Sequence, residues 1–259
     1  MSTVAIDRNG EVIEIIIKRP KANAIDAATS RLLGDAFELF RDDRGLRVAI
    51  ISGEGDRFFS AGWDLKAAAQ GENYEADYGV GGFGGFPELP GLNKPVIAAV
   101  NGMAIGGGFE LVLASDLVVA ASHAEFFFGE LAAGVIPDAG TVRLPRMIPP
   151  IVAKELILTG RRLSAEEARD LGLVNTVVPA DELMSAARSF AAEICKTAPL
   201  AVAAVLEVIR ETSHLDVHEA LMAMRNGEIA QYTAMLNSED AQEGPIAFTE
   251  GREPQWKGR

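Results

Sequence analysis

Lys94-Pro-Val-Ile-Ala-Ala-Val-Asn-Gly-Met-Ala-Ile-Gly-Gly-Gly-Phe-Glu-Leu, residues 94–111, carries the most information in this chain. The uninterrupted apolar run 95–100 reads as a strand buried on both faces, and Asn101-Gly102 marks a turn after it. A helix is expected from about 107 to 115. Three consecutive glycines just before that helix let a backbone come close to a ligand, and they leave unpaired N–H groups at the positive end of the helix dipole. The stretch therefore reads as strand, anion-stabilising loop, helix.

Working outward, residues 3–7, 12–17 and 48–52 are short β-branched runs bounded by turn signals, and 27–44 has helical apolar spacing. They predict a hairpin, a crossover helix and another strand. Residues 117–121 read as a further strand. Strands alternating with helices point to a largely parallel sheet with helices outside it. Beyond Pro149 the pattern changes to helices at 151–159, 164–171, 180–196, 199–213 and 216–236, with only 174–178 resembling a strand. A division into an α/β core, 1–197, and a C-terminal helical region, 198–259, follows. Residues 79–86, Gly-Val-Gly-Gly-Phe-Gly-Gly-Phe, form the one low-complexity segment, read either as a mobile lid or as a plain surface loop.

The 259 residues are 48% hydrophobic, 7% aromatic and 24% charged, as expected of a globular chain. A net charge of −13 without a basic tract argues against nucleic acid as a partner. It equally requires that any polyanionic ligand meet local basic residues or helix N-termini. The single cysteine, Cys195, lies in a helix-like stretch and reads as packing. The first ten residues lack the charged and apolar regions of a leader, and the apolar runs are strand-sized, so no membrane association and a cytoplasmic location are expected.

Three acids follow glycine-rich or apolar runs. Glu110 stands in the first turn of the expected helix, Glu130 ends Ala124-Glu-Phe-Phe-Phe-Gly-Glu, and Asp138 follows Gly134-Val-Ile-Pro137. Each alone is equally a helix-start or surface charge, and Asp138 reads equally as a helix cap.

In order along the chain, Phe59-Ser-Ala-Gly-Trp-Asp-Leu65, the 94–102 run, Gly-Gly-Gly-Phe-Glu110-Leu, Leu113-Ala-Ser-Asp116, Gly134-Val-Ile-Pro137 and Ser238–Phe248 resemble the crotonase (enoyl-CoA hydratase/isomerase) superfamily. The resemblance covers residues 12–259. It implies an α/β fold, the crotonase (ClpP-like) spiral of ββα units with a C-terminal helical region. It also implies a lyase that interconverts 2-enoyl-CoA and 3-hydroxyacyl-CoA, with an isomerase of the same superfamily as the alternative. Glu110 and Glu130 then match the catalytic carboxylates, water activation falling mainly to Glu110 and α-proton exchange to Glu130. The backbone N–H groups of Trp63 and Gly107 match the oxyanion hole.

Lys21, Ala22, Ala24, Ala61, Asp64, Leu65 and Lys257 are the implied substrate and CoA contacts, and Asp138 stands where some dienoyl-CoA isomerases carry a further acid. No cofactor or metal is implied, since coenzyme A is part of the acyl-CoA substrate. The partners are otherwise copies of the same chain, in a homotrimer or dimer of trimers. Residues 19–26, 58–66, 79–86 and 256–259 resemble the branch acting on carnitinyl-CoA and crotonobetainyl-CoA, where Trp63, Phe83 and Phe86 would offer aromatic surface to a quaternary ammonium.

Two other classes share the superfamily's fold or ancestry. A Clp-type hydrolase needs a Ser-His-Asp set. His214 and His218 fall in the helical region, and His123 beside Ser122 has no nucleophile elbow. A non-catalytic RNA-binding relative is disfavoured by the acidic charge and the two glutamates.

Overall fold

In the computed structural model, which describes residues 2–259, β1 (Val4–Asn9) and β2 (Val12–Ile17) form the expected antiparallel hairpin. Helix α1 (Ala27–Asp42) follows. Its Asp26 cap accepts a 2.8 Å bond from the Thr29 N–H, and its buried stripe runs through Leu33, Phe37 and Phe40. Strand β3 (Val48–Gly53) then pairs parallel with β2, and β5 (Val96–Val100) with β3. Strands β7 (Leu117–Ala121) and β10 (Thr176–Val178) complete a six-stranded sheet in the order β1-β2-β3-β5-β7-β10. All five residues of β5 are buried, as its unbroken apolar sequence requires.

A second, four-stranded sheet departs from the simple β-then-α reading. Its members are β4 (Phe58–Ser60), β6 (Met103–Ile105), β8 (Glu125–Phe127) and β9 (Leu163–Ser164), in that order. The first three run parallel, and β9 closes the edge antiparallel to β8. Each turn of the chain thus gives one strand to the large sheet and one to the small sheet. It then enters a helix, which is α2 (Leu65–Ala69), α3 (Gly107–Ala114) or α4 (Glu130–Ala133). This is the ββα spiral that the resemblance implied. Strands of three residues are too short to show a period of two, which is why the apolar pattern alone does not disclose them.

Helices α5 (Asp138–Met147), α6 (Pro150–Thr159) and α7 (Ala165–Asp170) follow, and then α8 (Leu183–Cys195), preceded by a 3₁₀ turn over Ala180–Glu182. The chain divides into two compact units, residues 1–92 with 96–191, and 93–95 with 192–259. The division falls inside α8, whereas the sequence places it after that helix.

The second unit contains α9 (Pro199–Thr212), α10 (Val217–Arg225), α11 (Ala230–Leu236) and α12 (Asp240–Glu250). The single helix expected over 216–236 is two helices, because Asn226-Gly227 breaks it with Gly227 at φ 77°. Its C-terminal tail is held by the buried Asp240 carboxylate, which accepts from the N–H groups of Lys257 (2.7 Å) and Gly258 (2.8 Å). No helix among the described residues is long and apolar enough to cross a membrane.

The glycine-rich segment is packed down rather than free, which corrects the mobile-lid reading. The Ser30 hydroxyl bonds Tyr78 O and Gly82 O at 3.1 Å and accepts from Gly84 N–H at 3.0 Å. A Cβ on Gly85 would collide with the backbone of Leu33 and Gly34 in α1, at a φ of +86° that already favours glycine. Phe86 is 4% exposed and stacks 4.5 Å from Phe37, so it is a core residue and not a binding surface. Phe37→Ala should therefore cost about 3–5 kcal/mol in a denaturant titration. It should also open 79–86 to proteolysis, because the anchor of that segment is lost.

Candidate active site

The three helices of the spiral begin side by side, because the strands that feed them are neighbours. The chain leaves β4 through Ala61, Gly62 and Trp63, β6 through Gly106 and Gly107, and β8 through Gly129 and Glu130. The carboxyl ends of adjacent parallel strands are where open α/β sheets expose backbone donors to ligands. Here a cavity of about 390 Å³ opens, lined by residues from all three exits and by Glu110, Asp138, Tyr74 and Phe83.

Gly62 sets the closeness of the first two exits. It has φ +73°, and a Cβ there would lie 2.6 Å from Ile105 O and 2.7 Å from Gly107 N. The segment 22–25 runs beside this loop and absorbs its other hydrogen bonds: Ala61 N–H to Ala22 O (2.9 Å), Ile25 N–H to Gly62 O (2.7 Å) and Asp64 N–H to Ile25 O (2.9 Å). The N–H groups of Trp63 and Gly107 have no protein acceptor among the described residues, and both residues line the cavity. Two unpaired donors on converging loops form the geometry that can hold a developing oxyanion.

Glu110, on α3, is 7% exposed. Its Oε1 accepts a 2.7 Å bond from Gly140 N–H in α5. Burial raises its pKa from 4.5 to about 7, the Gly140 bond opposes the rise, and the negative charges of Asp138 and Glu130 add to it. Glu130 begins α4, and its carboxylate lies against Gly106, where a Cβ would overlap it. Burial, with Asp138 behind it, raises the Glu130 pKa too. Its Oε2 is enclosed with no hydrogen-bond partner among the described residues. Two carboxylic groups held above the usual carboxylate range can each give or take a proton.

Asp138 is the first residue of α5 rather than its cap, since the cap position is Pro137. Its carboxylate still accepts a 3.0 Å bond from the first-turn N–H of Ala139, and it lines the cavity with the two glutamates. Of the other positions singled out from sequence, Ala61 and Leu65 line the cavity. Ala22 and Ala24 lie in the segment beside it and use their carbonyls within the protein.

Asp64 does not reach the cavity lining. It caps α2 through Lys66 N–H (2.9 Å) and pairs with Arg19 at 2.6 Å. Lys21 is exposed at φ 78°, outside the lining. Lys257 belongs to the second unit, where Nζ pairs with Glu239 at 3.0 Å.

Sequence reasoning missed the segment 72–78. Tyr74 and Tyr78 line the cavity, and the Glu72 carboxylate bridges Trp63 Nε1 (3.3 Å) and Ala27 N–H (3.1 Å) at the start of α1. The segment forms neither helix nor strand, so no periodicity announces it.

Comparison with known proteins follows the same line. Residues 7–259 match the sequence family described as enoyl-CoA hydratase/isomerase. A carnitinyl-CoA dehydratase from Salmonella arizonae is 54% identical over 257 residues, covering 99% of this chain and 98% of the relative. One from Proteus mirabilis is 56% identical over 251 residues, 96% of each chain. An enoyl-CoA hydratase structure from Mycobacterium tuberculosis superposes with a TM-score of 0.90 at 41% identity, and one from Mycobacterium marinum with 0.91 at 40%, each covering 100% of both chains.

A buried acid with a raised pKa destabilises the fold once it ionises. The native state holds the Glu110 proton up to about pH 7, and the unfolded chain releases it near 4.5, so stability falls as pH rises through that window. Glu110→Gln is expected to leave stability unchanged near pH 4 and to raise it by about 3 kcal/mol at pH 8, read from denaturant midpoints at the two pH values.

Proposed function

This chain belongs to the enoyl-CoA hydratase/isomerase family and adds water to, or removes it from, an enoyl-CoA thioester; we propose that its substrate pair is crotonobetainyl-CoA and carnitinyl-CoA, with Glu110 and Glu130 as the acid–base pair. The observation that carries the residue assignment is the pairing of two carboxylates of raised pKa, Glu110 buried and Glu130 half-buried, with two unpaired N–H groups in one cavity. The acyl group is suggested by the dehydratase relatives at 54–56% identity, which span nearly the whole chain.

In the proposed hydration the thioester oxygen sits between the N–H groups of Trp63 and Gly107. Attack at C3 pushes charge through C2 onto that oxygen, and the two donors stabilise the enolate, each contributing about 3–4 kcal/mol. Glu110 removes the proton from water as it attacks. A base with a pKa of about 7 suits this step, because it is substantially ionised at neutral pH and still a competent proton acceptor. Glu130 delivers a proton to C2, and its unpartnered Oε2 is the atom left for that exchange. Dehydration runs the same steps in reverse. CoA is a group of the substrate, and exposed Lys21, near the 22–25 segment, is the cation proposed to meet its phosphates.

The third cavity acid, Asp138, is the observation that favours an isomerase as the second reading, since moving a double bond needs a proton relay and no water. Turnover of 3-enoyl-CoA in preference to 2-enoyl-CoA would select it. On the first reading, Glu110→Gln and Glu130→Gln each lower kcat for crotonobetainyl-CoA hydration by about 10²–10⁴-fold. Full activity in both variants would remove the acid–base assignment.

Self-association belongs to the proposal as well. Val205, Ile209, Val217 and Phe248 in the second unit are 57, 63, 78 and 87% exposed, an apolar surface suited to contact with other copies in a trimer or dimer of trimers. Light scattering should give three or six times the 27.5 kDa chain mass, and a monomer mass would exclude it.

A further inference from the structure

The cavity wall is unusual in charge as well as in shape. It carries Glu75, Asp77, Glu88 and Asp138 besides the two glutamates, and no Lys, Arg or His among the described residues. Between these acids stand four aromatic rings in two perpendicular pairs. Trp63 meets Tyr74 at 5.1 Å and 81°, and Tyr78 meets Phe83 at 5.2 Å and 79°. The Tyr74 hydroxyl donates to Ile136 O at 2.6 Å, with the Asp138 carboxylate also within its reach, and the Tyr78 hydroxyl donates to Tyr74 O at 3.0 Å. The tyrosines therefore offer ring surface rather than free donors.

A neutral acyl chain gains nothing from such a wall, because it removes water from the carboxylates without replacing the hydration they lose. A small cation offsets that loss. Ring faces with diffuse negative charge suit a quaternary ammonium, which has no N–H to donate. Within this wall Asp138 is the acid nearest to serving the cation. It opens α5 two residues after Ile136, the acceptor of the Tyr74 hydroxyl, and its charge is felt by both tyrosines.

We propose that Asp138, beside Tyr74 whose ring meets that of Trp63 edge-on, is the counter-ion that selects a quaternary ammonium on the acyl group, and that it takes no part in proton transfer. This rests on the substrate reading above. It gives the third acid a role distinct from that of Glu110 and Glu130, and it explains why an acid belongs at an exposed first-turn position.

The test compares crotonobetainyl-CoA with 5,5-dimethylhex-2-enoyl-CoA, which replaces the nitrogen by carbon and so keeps the shape while losing the charge. The readout is the ratio of kcat/KM for the two. The unaltered enzyme should favour the cation. Asp138→Asn should lower that preference by about tenfold, Asp138→Glu should restore part of it, and Tyr74→Leu should lower it where Tyr74→Phe does not. If the unaltered enzyme shows no preference for the cation, the substrate reading fails. If it does, but Asp138→Asn keeps the full preference, the substrate reading stands and the role of Asp138 is overturned. If Asp138→Asn lowers kcat equally for both substrates, Asp138 belongs to the proton-transfer machinery and the proposal is equally overturned.

Discussion

Parallel pairing of three very short strands, β4, β6 and β8, is the constraint on which the site depends. Their registers, Phe58 to Met103 and Ala104 to Phe126, bring three successive turns of the chain to the same edge. The loops that leave them hold the Trp63 and Gly107 donors and the Glu130 carboxylate, with Glu110 one helical turn further on. The loops must also pass within a distance that excludes a side chain at Gly62, so the backbone donors are positioned by close packing and not by flexible groups. Donors held in this way need no reorganisation as charge develops, and this is the source of their strength.

The same closeness creates an electrostatic problem. Glu110, Glu130 and Asp138 share one cavity, and burial, with the charge of neighbouring acids added, holds both glutamates above the usual carboxylate range. Tyr74 is raised too, first by burial and then by these three acids. Stability is lost at this site, as is common where function needs strained or desolvated groups. The surrounding core offsets it: Phe37, Phe40, Phe59, Phe109 and Phe126 are fully buried beneath the loops.

Much of this architecture was legible in residue order. The hairpin at 4–17, the crossover helix at 27–42, the buried strand at 96–100 and the helix starting at Gly107 all follow from apolar spacing and turn chemistry. Elements that escaped were those without a local signature. The small sheet is made of strands of two or three residues, and the segment 72–78 has no repeating conformation. Helix α12 contains Pro245, which argues locally against a helix, yet it forms. The glycine-rich stretch misled in the other direction, because glycine serves both mobility and close packing, and only the neighbour decides which.

By itself the sequence determined the main strands of the large sheet and the helices between them, the acidic and apolar balance, and an ordered set of motifs naming Glu110, Glu130, Trp63 and Gly107 as candidates. Those properties are local or additive along the chain. What only the tertiary structure decided is which groups share a space: that Asp138 opens a helix and faces the glutamates, that Phe86 is core while Phe83 lines the cavity, and that Asp64 is committed to Arg19. Burial, charge coupling and unpaired donors are properties of neighbours distant in sequence. They arise only when the parallel strands bring those neighbours together.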